Sequence, residues 1–351
     1  MIDGKVYTAI ATPNIALIKY WGKRDERLIL PTNSSISMTM GEEFNTKTSV
    51  MFTDKIDDDI FYINGTRQDL SDKDIKERFA IMGILKDMAG TKARAMVVSE
   101  NSFPTAAGLA SSASGIAAMV FAANAALDLN LDIRSMSIIA RQGSGSSCRS
   151  LAGGFVKWER GTKADGTDSY IRQIAPSSHW PDLIDIVSIV SKSKKKISSR
   201  AGMKQTVESS VLYSARPGYA EKACADMENA IIGKNFEKLG LLTIKDSNNM
   251  HSVMLDTYPP IIYLNDVSRE IISSIDNLNA ESGKVIAAYT FDAGPNAHVL
   301  TLEKYKNAVE KALSEIEGIE KTYVTKAGNG PRILDDSESL IEGLSPRIGN
   351  R

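Results

Sequence analysis

Short runs of β-branched and aromatic residues alternate irregularly with longer stretches whose apolar positions recur at helical spacing. Residues 97–99, 155–158, 184–190, 285–290 and 297–302 have the length and composition of strands. Residues 216–232, 236–244, 267–279 and 304–316 read as amphipathic surface helices. The stretch 111–127 differs: rich in Ala and Ser, with Met119, Val120 and Phe121, it is apolar on nearly every side, as expected of a helix buried inside a core. A further strand-like apolar run, PNIALIKYWGKRD at 13–25, delivers Lys19 and Lys23 with two aromatics between them. Strands and helices are interspersed without strict alternation, which predicts a layered α+β fold rather than a regular parallel βαβ array. The division between domains is expected after the strand ending at Val190, giving residues 1–190, 191–335 and a tail at 336–351.

A chain of 351 residues is long enough for about two domains and needs no metal or disulfide staple to build its cores. The longest apolar run, GIAAMVFAA at 115–123, is far short of the ~20 residues of a membrane span. The N-terminus lacks the charged-then-apolar layout of a signal peptide. Two cysteines, Cys148 and Cys224, cannot form a disulfide framework and suit a reducing compartment, so the cytoplasm is the expected location. A net charge of −1 argues against a nucleic-acid or acidic-membrane binder but leaves room for a local cationic pocket.

The most informative segment is FPTAAGLASSASG at 103–115. Gly108 permits close backbone approach to an anion, Ser111 and Ser112 supply hydroxyls, and the helix that follows points its N–H groups and positive dipole end at the same place. On composition alone, tight helix packing explains such a run equally well. No Walker A pattern occurs in the chain. A second small-residue loop, GSGSSCRS at 143–150, carries Ser144, Ser146 and Ser147 and ends near Arg149, a side chain able to grip a carboxylate or phosphate with two parallel bonds. Two such loops favour a substrate with several phosphates. Taken alone, TFDAGPN at 290–296 is an ordinary turn. Asp292 gains interest because His179, His251 and His298 are scattered and show no metal-ligand spacing, and no CxxC is present.

Taken together, Pro104-x-x-x-Gly108-x-x-Ser111-Ser112-Ala113, IKYWGKRD, LPTNSSIS, GSGSSCRS, GGFVKW and YTFDAGPNA resemble the GHMP small-molecule kinase superfamily, and within it the mevalonate diphosphate decarboxylase branch. The resemblance runs from about Ala9 to about Leu334. It implies a GHMP kinase fold, with an N-terminal lobe like ribosomal protein S5 domain 2 and a C-terminal ferredoxin-like lobe, usually in a homodimer. The implied reaction is ATP-dependent decarboxylation of mevalonate 5-diphosphate to isopentenyl diphosphate, with Mg2+ as the usual metal and a small phosphorylated mevalonate as the only partner.

The resemblance also implies roles. Asp292 would orient the 3-hydroxyl or take its proton, Lys19 would hold the 3-oxygen or the transferring phosphate, Arg149 the carboxylate, and Asn14 would orient Arg149. Tyr20, Lys23, Ser144, Gly145, Ser146 and Arg200, assisted by Lys204, match positions that bind the 5-phosphate groups. Gly108, Leu109, Ala110, Ser111 and Ser112 would receive the ATP phosphates, with Asn101 in the adenine-side segment 99–102. Relatives that act on mevalonate 3,5-bisphosphate without ATP, or on mevalonate 5-phosphate with it, share these motifs and stay open as alternatives. Plain phosphotransfer, as in mevalonate or homoserine kinases, fits YTFDAGPNA and GSGSSCRS less well.

Overall fold

The computed structural model describes residues 4–102, 111–190 and 197–341. Its strands in chain order are β1 (Val6–Ala11), β2 (Asn14–Ile18), β3 (Lys23–Asp25), β4 (Leu30–Pro31), β5 (Ser35–Thr39), β6 (Thr46–Thr53), β7 (Ile60–Ile63), β8 (Thr66–Arg67), β9 (Arg94–Asn101), β10 (Phe155–Trp158), β11 (Ile171–Ala175), β12 (Leu183–Ile189), β13 (Ala287–Phe291), β14 (Ala297–Leu302), β15 (Lys321–Lys326) and β16 (Arg332–Ile333). The helices are α1 (Lys73–Phe79), α2 (Ile81–Met88), α3 (Ser111–Ala126), α4 (Ile133–Gly143), α5 (Ser199–Ser209), α6 (Arg216–Ile232), α7 (Phe236–Leu255), α8 (Asp266–Ser282) and α9 (Lys306–Ser314).

Three larger sheets are stacked with helices between and outside them, and β3 and β4 pair as a separate two-stranded ribbon. The first has the order β16-β1-β6-β9-β7-β8, the second β11-β10-β5-β2 and the third β13-β14-β12-β15. Helix α3 lies between the first two: Ala117, Ala118, Val120, Ala122 and Ala123 are wholly buried, in one core with Val50 and Val97 of the first sheet and Val156 and Trp158 of the second. Its all-round apolarity therefore has the expected cause. The other face of the second sheet, with Ile15, Leu17, Ile36 and Phe155, packs on α6 and α7 in a core that also takes in Ala288 and Leu300 of the third. The two halves of the chain thus share one continuous apolar layer.

The division at Val190 differs from the pairing. β12 sits inside the third sheet, bonded to β14 from Leu183↔Leu302 to Ser188↔Ala297 and to β15 on its other side. The chain has therefore crossed to the second lobe before Leu183. A run of apolar residues does not say which strands it pairs with; the long-range ladder does.

The C-terminal segment is tied to the first sheet as far as Ile341. β16 adds to the edge of β1, residues 336–338 form a single 3-10 turn, and Leu340 and Ile341 pack on Met96 and Val98 at the outer face of the first sheet. Lys47 pairs with Glu338, and the Leu340 amide donates to Ser49 Oγ at 2.9 Å. Truncation after Asp335 is expected to lower unfolding stability by about 2–4 kcal/mol, since a fully buried aliphatic side chain contributes about 1.5–3 kcal/mol. Urea denaturation reads this, and an unchanged midpoint would mean that the segment does not hold the sheet.

Candidate active site

Lys19 is the first residue after β2, and Asp292 the first after β13. The Nζ of Lys19 meets Asp292 Oδ1 at 2.7 Å, joining the two lobes. The lysine side chain is 2% exposed and the aspartate 41%, so the pair is reached from the Asp292 side.

Arg149 lies on a buried 3-10 segment, Gly145–Leu151, that follows α4; GSGSSCRS is thus an ordered turn of helix, not a flexible loop. Its Nε donates to Asn14 Oδ1 at 3.1 Å and its Nη1 to Ser35 Oγ at 2.7 Å. The Asn14 amide nitrogen is committed in turn to Ser150 Oγ at 2.8 Å and the Ser146 carbonyl at 3.1 Å. Those two bonds leave the amide only one orientation, with its oxygen toward Arg149. Burial holds the guanidinium pKa below its usual value, and the charge of Asp292 is among those that oppose the shift. Nη2 makes no hydrogen bond among the described residues.

A second group of cations lies alongside. Lys23 is 6% exposed and bonds Glu26 Oε2 at 2.5 Å. Burial lowers its pKa, the Glu26 contact resists, and Arg200 and Lys204 push it further down. Arg200 is half-buried, paired with Glu77 and donating to the Gly143 carbonyl at 3.2 Å. Lys204 stands exposed on α5, 3.9 Å from Glu208. Mutual repulsion among cations held this close is what a polyanion relieves.

Tyr20 connects the two groups. Its ring packs edge-on to Trp158 at 4.8 Å, its buried hydroxyl has no hydrogen-bond partner among the described residues, and burial raises its pKa, with Glu26 reinforcing the rise and Arg200 and Arg149 opposing it. Gly145 is what lets the ring in, because a Cβ there would stand 2.6 Å from a Tyr20 ring carbon. Gly145→Ala is expected to raise the substrate KM severalfold and to cost about 1–3 kcal/mol of stability through overpacking. Steady-state kinetics with a thermal melt checks this; no change in either would show that the ring swings aside freely. Cys148, next to Arg149, is inert by comparison: it is wholly buried, bonds the Gly145 carbonyl, and burial pushes its thiol up to about 12.

The phosphate-loop positions Gly108, Leu109 and Ala110 lie outside the described residues, as does the side chain of Ser111. Helix α3 begins at Ser111, with Ser112 half-buried in its first turn. Thr46 Oγ1 links that turn to the end of β9, lying 2.6 Å from Ser114 Oγ and donating to Asn101 Oδ1 at 2.7 Å.

Sequence patterns alone do not reveal five participants around Lys19 and Arg149. Asp246, Arg216 and Asn33 bond its main chain, and Ser35 holds Arg149. His251 lies with its ring edge-on to Phe291 at 6.3 Å; its Nε2 is buried without a partner among the described residues, and burial, assisted by Lys19, pushes its pKa down to about 4. The signal that could have found Asp246 and His251 is their place at the apolar spacing of α7, where Leu239, Leu242, Met250, Val253 and Met254 mark the buried face.

Two family models match the chain, the diphosphomevalonate decarboxylase-like N-terminal domain over residues 11–171 and the mevalonate 5-diphosphate decarboxylase C-terminal domain over residues 185–317. The diphosphomevalonate decarboxylase of Schizosaccharomyces pombe is 43% identical, with 97% of each chain covered. The crystal structure of mevalonate diphosphate decarboxylase from Staphylococcus aureus superposes with a TM-score of 0.87 at 36% identity, covering 94% of this chain and 98% of the other. A related structure in complex with MVAPP, AMPPCP and magnesium gives a TM-score of 0.85 at 38% identity, over 94% of this chain and 99% of that one. By motif order, sheet topology and these likenesses along nearly its whole length, the chain belongs to the diphosphomevalonate decarboxylase family, with the GHMP kinase fold.

Proposed function

We propose that the chain decarboxylates mevalonate 5-diphosphate in an ATP- and magnesium-dependent reaction, releasing isopentenyl diphosphate, carbon dioxide, ADP and phosphate. The observation that carries this reading is the Lys19–Asp292 contact at 2.7 Å beside the Asn14-oriented Arg149. A carboxylate, an ammonium and a guanidinium converge there on one side of the cationic group formed by Lys23 and Arg200.

The chemical obstacle is the tertiary 3-hydroxyl, a poor leaving group. Bound ATP supplies the phosphoryl group that turns this oxygen into a good one. Asp292 accepts a hydrogen bond from the hydroxyl and then its proton, while Lys19, bonded to Asp292, holds the same oxygen. When the C3–O bond breaks, its electron pair leaves with the phosphate and positive charge develops at C3. Asp292, fixed in place and with the proton passed on to solvent from its exposed side, opposes that charge. The C1–C2 pair then becomes the C2–C3 double bond as carbon dioxide departs. Arg149 holds the carboxylate until that moment, through Nη2 and the plane that Asn14 and Ser35 impose.

The residues present suit both absent groups. The start of α3 offers backbone N–H groups and Ser112 to nucleotide phosphates. Magnesium in such sites is bound largely through phosphate oxygens and water, which needs no acidic cage, and among the described residues no group of three or more ligating side chains occurs. No described helix is long and apolar enough to cross a membrane. Both cysteines are buried and unpaired, which supports a reducing, cytoplasmic setting, and a homodimer is the assembly we propose, open to test by sedimentation.

The deciding experiment presents mevalonate 5-phosphate, 5-diphosphate and 3,5-bisphosphate separately, each with and without Mg-ATP, and measures carbon dioxide and phosphate. Turnover of the 5-diphosphate only with Mg-ATP is expected. Release from the 3,5-bisphosphate alone, with no need for ATP, would overturn the proposal.

A further inference from the structure

We propose that α7 sets the spacing of the Lys19–Asp292 pair through two consecutive side chains, Asp246 acting on Lys19 and Ser247 on the strand that carries Asp292. The inference deepens the proposed function and rests on it.

Lys19 and Phe291 stand at the ends of strands, where ladder bonds stop and main-chain groups need other partners. Asp246 Oδ2 accepts the Lys19 N–H at 2.6 Å. The Lys19 carbonyl accepts from Arg216 Nη2 at 3.1 Å and from Asn33 Nδ2 at 3.0 Å. Arg216 is itself locked, at 3.3 Å from Asp246 Oδ1 and 2.5 Å from Asn249 Oδ1. One residue along, Ser247 Oγ accepts the Phe291 N–H at 3.1 Å, immediately before Asp292. Asp246 and Arg216 are wholly buried and Ser247 is 1% exposed.

A buried ion pair seldom adds net stability, because desolvating two charges offsets their attraction. Here the pair grips both main-chain groups of the residue whose side chain must meet Asp292. Neighbouring positions of a single helix are about 1.5 Å apart along its axis, so one rigid element references both strand ends. An error of 1 Å between reacting groups is enough to slow catalysis about a hundredfold, which gives such a reference its value.

The test measures kcat and KM with mevalonate 5-diphosphate and Mg-ATP, alongside thermal melts, for Ser247→Ala and Asp246→Asn in the native chain and for Asp246→Asn in a Lys19→Met background. Wild-type turnover in the same assay is the control for the function itself, so its absence would count against that reading and not against this one. Each single variant is expected to lower kcat by about fivefold or more with KM within about threefold, and Asp246→Asn to add less than about twofold once Lys19 is gone. Where Asp246→Asn leaves Arg216 unpaired and unfolded, Asp246→Asn with Arg216→Gln removes both charges and takes its place. A smaller loss of kcat, a parallel rise in KM, or the same loss repeated in the Lys19→Met background would overturn the proposal. So would failure of both Asp246 variants to fold, which would make the pair a folding element.

Discussion

Asp292→Asn is expected to abolish decarboxylation, lowering kcat by about a thousandfold or more while the protein stays folded. The amide has the same shape as the carboxylate but cannot take the 3-hydroxyl proton, carries no charge to oppose a cation at C3, and loses its ionic contact with Lys19. With the Asp292 side chain 41% exposed, the lost ion pair itself costs at most about 1 kcal/mol of stability. Turnover assays with Mg-ATP and a thermal melt separate the two effects. Activity surviving within about tenfold, equal to about 1.4 kcal/mol of barrier, would mean that Asp292 does not act on the reacting centre.

Arg149→Lys is the second large effect expected, despite retaining the charge. An ammonium is a point donor: it cannot bond Asn14 Oδ1 and Ser35 Oγ together and still present a second nitrogen to a carboxylate. Leaving hydrogen-bonded partners of a buried charge unsatisfied costs about 2–5 kcal/mol, so kcat/KM is expected to fall by about a hundredfold. The proposed 5-diphosphate contacts lie elsewhere, on Lys23 and Arg200, so substrate is expected still to bind and the loss to fall chiefly in kcat. An Arg149→Lys enzyme with native kcat/KM would show that the fork geometry is dispensable. Asn14→Ala is expected to reproduce part of the same loss, because the Asn14 amide is one of the two partners that fix the plane of that fork.

How much was legible varies with the kind of residue. The strands at 155–158 and 297–302 and the helix 216–232 coincide with β10, β14 and α6, because each is a continuous apolar or amphipathic run with an unambiguous period. Helix α7 was legible only to Ile244, although it continues to Leu255. Its second half reads KDSNNMHSVML, where Asp246 and Ser247 occupy positions at which a pattern reading asks for apolar residues. Those side chains are buried because they face strand ends bearing Lys19 and Asp292, a demand that no local pattern expresses. GGFVKW shows the converse. Gly153 lies against the returning chain at 329–330 and Gly154 against the backbone of 175–177, with the Gly154 amide bonded to the Gly328 carbonyl at 2.8 Å, so the glycines serve close backbone approach while the chemistry lies elsewhere.

The sequence by itself determined the layered α+β class, the buried character of α3, the family and the side chains proposed to carry the chemistry, because those follow from local period, residue type and motif order. Only the tertiary structure decided where the chain changes lobes, that residues 336–341 bind the first sheet, and that Lys19 and Asp292, 273 positions apart, meet at 2.7 Å. Strand pairing and buried polar contacts are long-range: each depends on partners that distant segments supply, and neither leaves a periodic trace in the chain. A net charge of −1 likewise hid a cationic pocket until folding gathered Lys19, Lys23, Arg149 and Arg200 from across the sequence.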